Sequence, residues 1–331
     1  MKIDDLRKSD NVEDRRSSSG GSFSSGGSGL PILQLLLMRG SWKTKLVVLI
    51  ILLLLGGGSG LPILQLLLMR GSWKTKLVVL IILLLLGGGG LTSIFNDSSS
   101  PSSYQSQNVS RSVDNSATRE QIDFVNKVLG STEDFWSQEF QTQGFGNYKE
   151  PKLVLYTNSI QTGCGVGESA SGPFYCSADK KIYLDISFYN ELSHKYGATG
   201  DFAMAYVIAH EVGHHIQTEL GIMDKYNRMR HGLTKKEANA LNVRLELQAD
   251  YYAGVWAHYI RGKNLLEQGD FEEAMNAAHA VGDDTLQKET YGKLVPDSFT
   301  HGTAEQRQRW FNKGFQYGDI QHGDTFSAEH L

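Results

Sequence analysis

The stretch from Ala205 to Gln217, AYVIAHEVGHHIQ, sets three histidines and one glutamate in an otherwise apolar run. Polar groups buried without partners are costly, so the fold must build something around this segment that satisfies them. His210 and His214 are four residues apart, which on a helix turns both rings to one side. Glu211 follows the first of them. This is the H-E-x-x-H pattern: two zinc ligands and a carboxylate able to take a proton from water activated by the metal. The competing reading is a core helix whose histidines are merely hydrogen-bonded. The preceding apolar run FAMAYVIA and the strand-like segments upstream favour the metal site. His215 points elsewhere and reads as a surface or supporting residue.

A catalytic zinc keeps three protein ligands and one open position, so a third ligand is needed. The helix-like segment KKEANALNVRLELQADYYAGVWAHYIRGK carries Glu246 and Asp250 on one face. Glu246 reads as the third ligand. Asp250 reads as the acceptor for the free N–H of a ligating histidine, fixing its tautomer. The plainer alternative is a solvated acidic face, which the apolar and aromatic flanks oppose. His231, Glu219 and Cys164 are rival third ligands.

The bulk of the chain narrows the function classes. With 331 residues and a formal net charge of -4, it shows no basic footprint for nucleic acid. Its two cysteines, Cys164 and Cys176, are too few for a disulfide-built scaffold. They permit one bridge in an oxidising compartment.

Residues 1–29 are charged, then rich in serine and glycine, and read as a disordered tail. LPILQLLLMRGSWKTKLVVLIILLLLGGG occurs at Leu30–Gly58 and again, unchanged, at Leu61–Gly89. Two identical copies do not resemble a solenoid, whose repeats diverge. Residues 30–96 read instead as a duplicated hydrophobic membrane anchor, because the charge-free intervals are about as long as a spanning helix needs. Lysines and arginines flank both copies, so the positive-inside rule favours one crossing at about 77–95. Residues 97–116 read as a Ser/Gln-rich linker.

Residues 117–331 read as one domain. TREQIDFVNKVLGSTEDFWSQEFQTQG has helical periodicity, read as two helices broken near Gly130 with Ser131 capping the second. KLVLYTN and KKIYLDISFY read as strands around a glycine-rich loop, GCGVGESASGPFYC. Helices follow at 201–219, about 235–261, near 270–280 and from Thr303, where Thr303 and Gln306 form a capping-box pair.

HEVGHH followed by ELQAD resembles the gluzincin arrangement, in which the third ligand is a glutamate in an E-x-x-x-D helix. More narrowly, the chain resembles the membrane-anchored neutral zinc metallopeptidases of bacteria. The resemblance rests on SDNVEDRR, GCG, GPFYC, KIYLD, GDFAMAYVIAHEVGHHIQ, ELQADYYAGVWA and HGTAEQRQRWF. It implies an α+β, zincin-like domain, mostly helical with a small sheet, behind a transmembrane anchor and tail. It also implies zinc held by His210, His214 and Glu246, with Glu211 as base. The duplicated apolar segment departs from the family's single anchor. A downstream histidine often stabilises the oxyanion in gluzincins, which by resemblance points to His301, with Arg309 as a supporting charge.

The expected function is therefore membrane-anchored, zinc-dependent endopeptidase action on peptide or protein substrates. The catalytic domain is expected on the non-cytoplasmic side of the cell membrane, with the lipid bilayer as a partner and no nucleic acid. The competing function is a catalytically silent, zinc-stabilised binding module tethered to the membrane.

Overall fold

The computed structural model describes residues 1–16 and 115–331. Within them a four-stranded sheet and a two-stranded hairpin accompany eight helices. The strands are β1 (Val12–Asp14), β2 (Lys152–Tyr156), β3 (Ser159–Thr162), β4 (Gly165–Glu168), β5 (Phe174–Cys176) and β6 (Lys181–Asp185). The helices are α1 (Asn115–Gln143), α2 (Phe188–His194), α3 (Asp201–Glu219), α4 (Ile222–Arg230), α5 (Lys235–Gly262), α6 (Asp270–Ala280), α7 (Asp283–Tyr291) and α8 (Ala304–Tyr317).

The main sheet has the order β1-β2-β6-β5. The first three strands are parallel, with Val12 opposite Leu153 and Leu153 opposite Ile182. β5 closes the order antiparallel to β6, with Phe174 opposite Tyr183. Alternation along the strands sorts two apolar faces. Leu153, Leu155, Ile182 and Leu184 face the helices. Val154, Tyr156, Tyr183 and Cys176 form a smaller cluster with Ile160 of β3.

α3 lies at the centre of the helical layer, buried on nearly all sides from Phe202 to Gln217, which accounts for its lack of a polar face. It packs against α5, α6 and α1. α5 in turn packs tightly on α8, where a Cβ at Gly314 would lie 2.0 Å from the Tyr251 carbonyl oxygen. Only glycine allows so close a backbone approach.

The membrane anchor expected over residues 30–96 lies outside the described residues, and among those described no helix is long and apolar enough to cross a membrane.

Residues 1–16, expected as tail, belong to the domain. β1 extends the sheet, and the Met1 side chain is buried. Arg7 and Lys8 meet acidic partners more than a hundred residues away. Arg7 pairs with Glu133 at 2.8 Å and Asp134 at 2.7 Å, and the Ser9 hydroxyl donates to Glu133 at 2.6 Å.

α1 does not break at Gly130. Ser131 and Thr132 donate back to the carbonyls of Val128 and Leu129, each at 2.7 Å, and neither caps a new helix. Gly130 instead makes room for the N-terminal segment: a Cβ there would lie 2.6 Å from the Arg7 carbonyl oxygen.

Candidate metal centre

α3 and α5 carry the polar cluster between them. They approach closely at Gly213, whose added Cβ would meet the Ala249 carbonyl oxygen at 2.8 Å. The Nε2 atoms of His210 and His214 both lie 3.3 Å from Glu246 Oε2. One ligand atom from each of the three residues falls within 4.8 Å of the others. Two imidazole nitrogens and one carboxylate oxygen converging on a point fit zinc well, and leave a further coordination position for water or substrate.

The outer nitrogen of each imidazole has its own partner. His210 Nδ1–H donates to Asp250 Oδ1 at 2.7 Å. His214 Nδ1–H donates to Gln217 Oε1 at 2.9 Å. Each bond fixes the tautomer that leaves Nε2 free for a metal. Gln217 is itself held, its amide donating to the Leu245 carbonyl at 2.7 Å and to Gln248 Oε1 at 3.2 Å.

Asp250, fully buried, accepts also from the Tyr206 hydroxyl at 2.6 Å. Arg307 Nε and Nη2 reach it at 2.8 and 2.9 Å. Burial alone raises a carboxyl's pKa, but Arg307 and His210 overcome that and hold Asp250 at about 2. Asp250 is thus a permanent anion behind His210.

Glu211 lies in the cleft with the ligands but outside the ligand set. Burial pushes its carboxyl above the ordinary carboxylate range, against the opposing pull of His210 and His214. The cleft, about 330 Å³, is otherwise walled by Phe174 and Tyr175 of β5, Phe188, Tyr196, Val207, Val281 and Leu286, with His301 and Arg307 also at its wall.

The remaining sequence candidates separate cleanly. His301 lines the cleft with its side chain half-exposed. Asp283 accepts its backbone N–H at 2.6 Å and lies 3.3 Å from its Nδ1. The Asp283 carboxylate also takes the backbone N–H groups of Thr300 and Gly302, so it organises the whole loop. Arg309 is corrected: it is exposed and pairs with Glu305 away from the cleft. Residues two apart on a helix face nearly opposite ways, and Arg307 is the one that turns inward. The rival ligands are spent elsewhere. Cys164 is bridged to Cys176, Glu219 pairs with Lys180 at 2.8 Å, and His231 is exposed beyond α4.

Residues 1–326 match the family described as "Putative neutral zinc metallopeptidase". The chain belongs to this family. The neutral zinc metallopeptidase family also includes a relative in Escherichia coli (strain K12), the uncharacterized protein YpfJ. It is 43% identical over 326 residues, covering 98% of this chain and 99% of the relative. The uncharacterized protein Rv2575 of Mycobacterium tuberculosis (strain ATCC 25618 / H37Rv) is 44% identical over 195 residues, covering 56% of this chain and 65% of the relative. No solved structure matches the chain significantly. Family membership supports zinc and peptidase chemistry at the coarse level, and the cluster of His210, His214 and Glu246 supplies a fitting donor set.

Proposed function

We propose that the domain is a zinc-dependent endopeptidase in which Glu211 is the general base. The observation that carries this reading is the convergence of His210, His214 and Glu246 on one point, with Glu211 beside them in the same cleft and free of the ligand set. A structural zinc site has no need of such a carboxylate, which disfavours the silent binding module.

Zinc bound at these three ligands would polarise the scissile carbonyl and lower the pKa of the attacking water. Glu211 is placed to accept that water's proton and pass it to the departing amine. His301, held at the cleft wall by Asp283, is the candidate donor to the developing oxyanion. β5 is the last strand of the sheet and borders the cleft. Its open edge offers backbone groups to which an extended peptide can add as a further strand.

The Cys164–Cys176 disulfide supports residence in an oxidising compartment. The reading is tested by loading the full chain with zinc and following hydrolysis of fluorescein-labelled casein. Turnover that a chelator abolishes and zinc restores is the expected result. A zinc-loaded protein that cleaves neither casein nor short peptides would contradict it.

A further inference from the structure

His215 takes no part in the metal centre, and it is 1% exposed, so it is not a surface residue. Its ring stands edge-on to Tyr148 at 5.7 Å and to Tyr175 at 5.5 Å. Nε2 lies 2.6 Å from the Lys149 carbonyl oxygen. A carbonyl only accepts, so Nε2 carries the proton. Nδ1 of the neutral ring is then an acceptor, and the Tyr175 hydroxyl, 3.1 Å away, donates to it. One imidazole thus joins the helix of the metal ligands, the connection between α1 and β2, and strand β5.

β5 is three residues long and stands last in its sheet, laddered to β6 alone among the described residues. Phe174 and Cys176 turn toward the small cluster beneath the β3–β4 hairpin, whereas Tyr175 turns toward the main core. Tyr175 is therefore the β5 side chain that reaches α3. The disulfide from Cys176 to Cys164 restrains the opposite face. His214 and His215 are consecutive on one helical turn, about 100° apart. The first faces the metal point and the second faces the strand.

We propose that His215 is a positioning residue for substrate. By holding Tyr175 it sets the depth of the open edge of β5 relative to the metal ligands, and so the placement of a peptide lying along that edge. This inference rests on the peptidase reading above.

The test uses the zinc-loaded full chain and two variants. Tyr175→Phe removes one hydroxyl and keeps the ring. His215→Gln removes the imidazole that bridges the three segments. Zinc per chain, KM and kcat on fluorescein-labelled casein, and hydrogen–deuterium exchange over Phe174–Cys176 are measured together. Tyr175→Phe is expected to raise KM about fivefold, the worth of one neutral hydrogen bond. It should leave kcat within about twofold and zinc content at the wild-type level, and speed exchange in the strand. His215→Gln is expected to raise KM about tenfold or more, since two bonds are lost. Wild-type KM and exchange in Tyr175→Phe would overturn the proposal, as would a fall in kcat at constant KM. The exchange measurement does not need turnover. A wild-type protein that cleaves nothing would sink the peptidase reading, while unchanged exchange would sink the coupling by itself.

Discussion

Arg307 holds Asp250 in a two-point grip, Nε to Oδ2 at 2.8 Å and Nη2 to Oδ1 at 2.9 Å, with both side chains buried. The same carboxylate takes the Nδ1–H of His210. The charge that orients the candidate ligand His210 on α3 is thus itself held by a residue of α8, 57 positions further along the chain from Asp250. Arg307→Ala would leave Asp250 buried without its counter-charge. Breaking such a pair costs about 3–5 kcal/mol, and loosening the support of a ligand costs about 10- to 100-fold in metal affinity. Urea unfolding and chelator competition measure the two losses. Arg307→Lys should recover part of the stability, since the charge remains but the planar fork does not. An alanine variant matching wild type in both assays would remove Arg307 from the account.

Gln217 does for His214 what Asp250 does for His210, through a neutral acceptor. Gln217→Ala should weaken zinc binding by about 10-fold, the lower end of the range for such supports. Chelator competition at constant pH reads this directly. Zinc affinity equal to wild type would mean that packing alone orients His214.

His301→Ala should lower kcat about 10²- to 10³-fold while zinc content stays at the wild-type level. KM should change little, because the donor matters more to the transition state than to the bound substrate. Steady-state kinetics on casein with a parallel zinc assay check this. Near-normal turnover would make His301 an ordinary loop residue.

The N-terminal strand gives a prediction in pH. Lys152, followed by Arg15 and Lys181, holds the Glu13 carboxyl at about 2, below its ordinary value of 4.5. A depressed carboxylate stabilises the folded state fully above its unfolded pKa, and that contribution is lost as pH falls through the folded value. Glu13→Gln should therefore lower the urea midpoint at neutral pH. The gap from wild type should start to narrow near pH 4.5 and close toward pH 2. A gap independent of pH would show that Glu13 acts through packing instead of charge.

The candidate ligands were legible because their spacing is local: His210 and His214 share a helix face, as do Glu246 and Asp250. The supports were not, because they depend on which helices cross. Arg307 did leave a trace. It falls with Ala304, Phe311 and Gly314 on the buried side of α8, and an arginine in such a stripe signals a buried anion. Gln217 stands three residues after His214, within reach on the same helix, but a glutamine at a helix end carries no distinct signal. Residues 1–16 read as tail because their charged run leads into a Ser/Gly-rich one and offers little apolar surface of its own. Their partners, such as Glu133, become neighbours only once α1 folds against them. Gly130 reads as a break for a related reason, since it serves a crossing segment and not a helix end.

The central claim is that Glu211 moves the proton while His210, His214 and Glu246 hold the metal. It is tested most directly by comparing Glu211→Gln with wild type for zinc per chain and casein turnover in one preparation series. The account predicts unchanged zinc content and a loss of kcat of at least about 10²- to 10⁴-fold, the usual worth of a general base. Turnover near wild type, or loss of zinc from the variant, would contradict it.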